Sequence, residues 1–249
     1  MSEVSEVTKV RRTHAVPFRS EQELRALVDS GVGELGWDAP TAEVIAWVAR
    51  HFEVSASAVA CSMADAVLPA LVAEQLPGVD VLFLETGYHF PETHDTRKTV
   101  ARYFPVNIVD VLPERTVAEQ DAEFGKDLFT RDPARCCQLR KMDPLKKALS
   151  GYEVWFTGVR RDEAPTRTNT PLLSWDASHG LVKVNPLAGW SLDALVTYAE
   201  ENLIPVNPLM SRGYLSIGCA PCTRPVAPGE DPRAGRWSGT DKTECGIHL

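Results

Sequence analysis

The sequence predicts an α/β protein with a doubly wound, mostly parallel sheet and a cysteine-rich C-terminal annex. Two observations predict it. Short apolar or β-branched runs alternate with helical stretches through the middle of the chain, and beyond Pro205 this alternation gives way to Pro, Gly, Arg and Cys with little periodicity. Strands that alternate with helices form a parallel sheet covered on both faces. The 249 residues, 44% hydrophobic and 24% charged, are enough to bury a full core in one or at most two domains.

The elements follow in order. Residues 1–20 show no sustained period and read as a loose arm. EQELRALVDSG reads as a helix stopped by Gly31, and Pro40 to His51 as a second. Ala58–Cys61, Val79–Leu84, Val106–Leu112, Glu153–Thr157 and Leu181–Val184 have the composition of buried strands. Between them, Ala64–Gln75, Glu92–Tyr103, Thr116–Phe124, Pro144–Leu149 and Leu192–Asn202, the last opened by Ser191 as N-cap, read as helices. The expected organisation is a helical arm over 1–52, an α/β domain over 53–205 and the annex over 206–249. An annex this poor in apolar residues has to lie on the main domain, be pinned by metal, or move.

The net charge of -8 argues against a general nucleic-acid or membrane-surface binder, because phosphate backbones and anionic lipids select basic faces. The opening MSEVSEVTKVRR fits neither a signal peptide nor an anchor, and no segment approaches the ~20 apolar residues of a membrane span. The expected compartment is the cytoplasm. Thiols stay reduced there, so six cysteines suggest metal binding or catalysis before disulfides. One local stretch is basic: Arg131, Arg135, Arg140, Lys141, Lys146 and Lys147 against Asp132 and Asp143. It reads either as a site for a small anion or as a solvated helix face.

Ligands of open α/β sheets bind beyond the carboxyl ends of the strands, so CSMAD, ETGYHFPET and TGVRRDEAPTR are the loops to inspect. Ser62 and Asp65 lie where an expected helix begins, whose free N–H groups suit a phosphate, although a Ser there is more often only the N-cap.

Cys136 and Cys137 are adjacent, a pair that rarely forms an unstrained disulfide. Cys219-Ala220-Pro221-Cys222 supplies a second pair at C-x-x-C spacing. Four thiolates suit an iron-sulfur cluster, tetrahedral zinc or, for the second pair alone, a redox motif. Adjacent ligands fit the wide corners of a [4Fe-4S] cube better than one tetrahedral ion. Cys61, after Val59 and Ala60, reads as a small buried hydrophobe. Cys245, in KTECGIHL, has Lys242 and His248 nearby to favour a thiolate, and reads either as a nucleophile or as an incidental terminal residue.

With CCQLRKMDPL, SIGCAPCTRPV and KTECGIHL, the chain resembles the assimilatory adenosine 5'-phosphosulfate reductases of the iron-sulfur type, actinobacterial branch, from about Val59 onward. The resemblance implies a fold like the adenine nucleotide alpha hydrolases and thioredoxin-dependent reduction of adenosine 5'-phosphosulfate to sulfite and AMP. It also implies a [4Fe-4S] cluster on Cys136, Cys137, Cys219 and Cys222, and Cys245 as the nucleophile that becomes S-sulfocysteine. Lys141 is implied between cluster and substrate, Arg233 and Arg236 on the phosphosulfate, and His248 beside the reacting thiolate. Ser62, Leu84, Gly158 and Arg167 are implied around the nucleotide, with Arg160 and Arg161 as further candidates, one of which is expected to pair with Asp162 or Glu163. A homo-oligomer is expected. The competing readings are a reductase of the 3'-phosphorylated nucleotide and a noncatalytic nucleotide sensor with a zinc staple. Two departures from the family pattern stand out. The first loop is shorter than SGAED and lacks its Gly, and Glu85 replaces the Asp of DTG; neither loop is the SGGxDS of ATP pyrophosphatases.

Overall fold

Six strands form one sheet in the order β3-β2-β1-β4-β6-β5. The structure, a computed structural model, describes residues 18–238 together with 242, 244, 246 and 247. Two helices come first, α1 (Glu21–Leu35) and α2 (Thr41–His51). Strand β1 (Ser57–Ala60) leads to α3 (Val67–Gln75), β2 (Asp80–Leu84) to α4 (Pro91–Tyr103), and β3 (Asn107–Val111) to α5 (Val117–Phe124). Short helices α6 (Leu128–Arg131) and α7 (Pro133–Cys137) follow, then a π-helical turn over Gln138–Met142 and α8 (Asp143–Leu149). The sheet is completed by β4 (Val154–Thr157), β5 (Leu173–Asp176) and β6 (Leu181–Val184), and α9 (Leu192–Glu201) closes the domain.

All strand pairs are parallel except β5–β6. The fold expected from the sequence is therefore the fold observed, with one strand added. The β5–β6 hairpin was legible in principle, because Leu173–Asp176 and Leu181–Val184 flank a four-residue loop ending in Gly180 at φ 73°.

Strand periodicity of two divides the core. Val59, Val81, Phe83, Val154 and Phe156 pack on one face with Leu24 and Val28 of α1, Val44 and Val48 of α2, most of α3, Val100 of α4 and Leu195 of α9. Ala58, Leu82 and Trp155 point to the other face, against Leu145 and Leu149 of α8. Helix α1 starts as a capping box, with Ser20 and Glu23 each accepting from the other's backbone N–H. It does not stop at Gly31. A Cβ there would lie 2.5 Å from both Trp47 and Leu173, so this glycine permits close packing, and the chain turns instead at Gly36, φ 65°. Among the described residues no helix is long and apolar enough to cross a membrane.

Candidate active site

The strand order reverses between β1 and β4, and a cavity of about 230 Å³ opens at the carboxyl ends of β1, β2 and β4. Ser62, Leu84, Lys141, Gly158, Arg167, Arg233 and Arg236, dispersed over 175 positions from first to last (Ser62 to Arg236), all line it. Cys245 and His248 lie outside the described residues.

The first loop is not built as the sequence suggested. Met63 is fully buried in the left-handed region at φ 59°, which breaks the helical run, so α3 begins only at Val67. Ser62 therefore does not cap the helix, and Asp65 instead accepts from the Val67 N–H at 2.9 Å. Burial pushes the Asp65 carboxyl pKa up, partly offset by that bond. Cys61 packs against the core as expected; burial drives its thiol up to about 12.

Leu84 is held by a residue that the sequence reading missed. The His89 Nε2–H donates to the Leu84 carbonyl at 2.7 Å, and the ring stacks on Phe83. Burial lowers the His89 pKa, and among the described residues its buried Nδ1 has no hydrogen-bond partner. Of the two candidate arginines after β4, Arg160 lines the cavity and pairs with both Asp162 and Glu163, whereas Arg161 reaches away to Asp38 and the Trp37 carbonyl.

The annex supplies the opposite wall. Arg236 is seated by Ser216 Oγ at 3.2 Å and the Ile217 carbonyl at 3.4 Å, with its guanidinium 4.5 Å above the Trp237 ring. Among the described residues its buried Nε–H has no hydrogen-bond partner. Gly218 makes room for it, since a Cβ would fall 2.3 Å from Arg236 Nη2. Arg233 and Arg167 both donate to Glu244, at 2.8 and 2.9 Å.

Behind this wall Cys136, Cys137, Cys219 and Cys222 line a second, small chamber with Tyr88, Phe129, Arg140 and Trp237. Cys136 and Cys137 end α7, and the π-turn that follows carries Arg140 and Lys141; such turns recur at functional sites. The C-x-x-C pair is fixed to the β2 loop: the Ala220 N–H donates to the Tyr88 carbonyl at 2.7 Å, and Thr86 Oγ1 lies 3.3 Å from Cys219 Sγ. Arg140, 3% exposed, donates to the carbonyls of Thr86 and Arg115 and to Gln120 Oε1. The basic stretch thus divides, with Arg140 and Lys141 at the chamber and Lys146 and Lys147 on the exposed side of α8. Burial, then the neighbouring Cys219 and Cys222, pushes the Cys136 thiol up to about 11 against the pull of Arg140 and Lys141. Cys222 is raised in the same way.

By the chemistry of its donors the set fits an iron-sulfur cluster: four soft sulfurs from two chain segments around one enclosed space, with cations beside them. Among the described residues no three His, Cys, Asp or Glu side chains converge on a site for a single ion. Lys141 and Trp237 line both the chamber and the larger cavity, so the two sites share a wall.

Residues 56–225 match the profile of the phosphoadenosine phosphosulfate reductase domain. The chain belongs to this family. An adenosine 5'-phosphosulfate reductase of Mycolicibacterium smegmatis is 55% identical over 94% of this chain and 98% of its own length. One from Streptomyces coelicolor is 51% identical over 92% and 97%, and one from Mycobacterium tuberculosis 49% over 92% and 96%. The solved phosphoadenylyl-sulfate reductase of Candida auris, phosphate complex, superposes with a TM-score of 0.65 at 24% identity, covering 84% of this chain and 99% of that one. An FMN adenylyltransferase of Candida glabrata gives 0.53 at 12%, covering 82% and 73%. At such identities the two structures speak for the α/β fold alone.

Proposed function

We propose that this chain reduces adenosine 5'-phosphosulfate to sulfite and AMP with a dithiol protein, thioredoxin, as electron donor. The observation that carries the reading is the shared wall: the cation-lined cavity at the sheet edge abuts the four-cysteine chamber through Lys141. Relatives about half identical along nearly the whole chain, adenosine 5'-phosphosulfate reductases, support the choice of nucleotide.

In this mechanism the adenosine lies over β1, β2 and β4 near Ser62, Leu84 and Gly158, with the phosphosulfate toward Arg233, Arg236 and Lys141. Fixed guanidinium donors suit its oxygens. The Cys245 thiolate attacks sulfur, the S–O bond to phosphate breaks, and AMP leaves with the electron pair. Lys141 and Arg236 stabilise the charge that develops on the leaving oxygen. His248 helps to place the reacting thiolate. A thioredoxin thiolate then attacks the Cys245 sulfur and displaces sulfite, and its second thiol resolves the mixed disulfide, so the dithiol supplies both electrons. Glu244 and Ile247, which flank Cys245 in the sequence, line the cavity. Cys136, Cys137, Cys219 and Cys222 would hold a [4Fe-4S] cluster, which when bound supplies charge and structure beside Lys141. The reducing cytoplasm keeps these thiols available.

The test is an anaerobic preparation measured for iron and acid-labile sulfide, then assayed for sulfite release with thioredoxin from adenosine 5'-phosphosulfate and from its 3'-phosphorylated form. Four irons per chain, sulfite from the first nucleotide, and a loss on the order of 10³-fold or more in Cys245→Ser are expected. Full activity without iron would exclude the cluster. Equal activity in Cys245→Ser would exclude the covalent step.

A further inference from the structure

The Glu244 carboxylate is held as an anionic ligand would be. Arg167 grips it side-on, Nε to Oε1 at 3.0 Å and Nη2 to Oε2 at 2.9 Å; Arg233 Nη2 reaches Oε2 at 2.8 Å, and Thr166 Oγ1 reaches Oε1 at 3.3 Å. Each oxygen thus takes two donors, the full capacity of a carboxylate. The three charged side chains are only 10 to 13% exposed. All three also line the cavity at the sheet edge. Arg167 has a second carboxylate, Glu163, so it keeps a counter-charge when Glu244 leaves.

We propose that Glu244 is a resident anion that competes with substrate: its carboxylate fills the Arg167–Arg233 site in the free enzyme and exchanges with the phosphosulfate on binding. The proposal deepens the function given above and rests on its assignment of Arg233 to the phosphosulfate; Arg167, which shares the Glu244 carboxylate with Arg233, lines the same cavity. It follows that Glu244 sets substrate affinity below what the arginines alone would give. The exchange is one of ion pairs only, with no bond made or broken.

The test is equilibrium binding to the cluster-bearing protein in a Cys245→Ser background, where substrate persists. Glu244→Gln keeps the shape and removes the charge. It is expected to tighten adenosine 5'-phosphosulfate binding about tenfold, equivalent to about 1.4 kcal/mol, and to leave adenosine, which has no anion, within about twofold. Glu244→Asp, with a shorter reach, is expected to fall between the two and guards against a folding defect in the Gln variant. Weaker or unchanged binding of adenosine 5'-phosphosulfate in both variants would overturn the competition. Arg233→Ala separates this from failure of the underlying reading: it is expected to weaken adenosine 5'-phosphosulfate and spare adenosine. No effect on either would remove the arginine from the substrate site, and the proposal with it.

Discussion

The sheet and the annex are held by different physics. Across the sheet, Val59, Val81, Val154, Phe156 and Val184 show no exposure at all, and burial of apolar surface fixes their positions without directed bonds. Among the described residues after Pro205, the buried apolar side chains are Leu209, Ile217, Cys219 and Trp237. There the chain is placed by polar contacts: the Asn207 side chain donates to the Met63 carbonyl at 3.1 Å, Arg212 pairs with Glu92 at 2.8 Å, and Arg224 pairs with Glu230 at 2.7 Å. The two regions meet at the cavity, where an apolar floor at the strand ends faces a cationic wall. Stability and chemistry should therefore be separable by mutation.

The sharpest contrast pairs one change in each region. Phe156, on the central β4 beside Val59, is expected to cost about 3–5 kcal/mol when cut to Ala, because the cavity left in a close-packed sheet cannot collapse. A chemical-denaturation midpoint reads this. Cys219→Ala is expected to strip bound iron from the chain and to leave the far-UV circular dichroism of the sheet intact. If Cys219→Ala also lost the sheet signal, the two regions would form one cooperative unit and the contrast would fail.

The same division decides what was legible in the sequence. Strands such as Val79–Leu84 could be read because burial imposes composition and period, and the four cysteines because thiol pairs at ligand spacing have few other uses. Turn geometry left weaker traces. Nothing in CSMAD announces that Met63 turns left-handed and delays α3, and Gly31 reads as a stop although Trp47 and Leu173 make it a packing residue. His89, Glu244 and Gly218 were missed because their roles depend on partners distant in the chain or, for Gly218, on a side chain that is absent. For Arg160 and Arg161 the expectation was that one pairs with Asp162 or Glu163, and Arg160 pairs with both.

Gly218 gives an intermediate effect confined to the annex. Its missing Cβ would meet the end of the flexible Arg236 side chain, at 2.3 Å from Nη2 and 2.6 Å from Cζ, and its three nearest neighbours are all atoms of that side chain. Gly218→Ala should therefore fold, while Arg236 leaves its seat above Trp237. A misplacement of about 1 Å in a charge-stabilising group costs up to ~10²-fold, so a fall of about 10 to 100-fold in kcat/KM is expected with an unchanged denaturation midpoint. A fall in stability with normal kinetics would show that the glycine serves the fold and not the arginine.

The smallest effect concerns pH. Burial alone would raise the Glu244 pKa, but the Arg167 hydrogen bonds and the charges of Arg167 and Arg233 outweigh it and hold the carboxyl below its ordinary value of 4.5. A carboxyl depressed in the folded state adds stability that is complete above its unfolded pKa and is lost as pH falls through the folded one. Arg167 is shifted the other way and stays charged throughout, so it does not alter this window. Because solvent reaches part of the pair, its contribution is about 1 kcal/mol, or ~2–4 °C in a chain of this size. Substrate-free wild type is therefore expected to melt ~2–4 °C above Glu244→Gln at pH 6–8, with the gap closing below pH 4.5. A gap that persisted in acid would mean that the glutamate acts through packing, and one that closed near neutrality would mean that its carboxyl is raised. Either result would separate Glu244 from the two arginines.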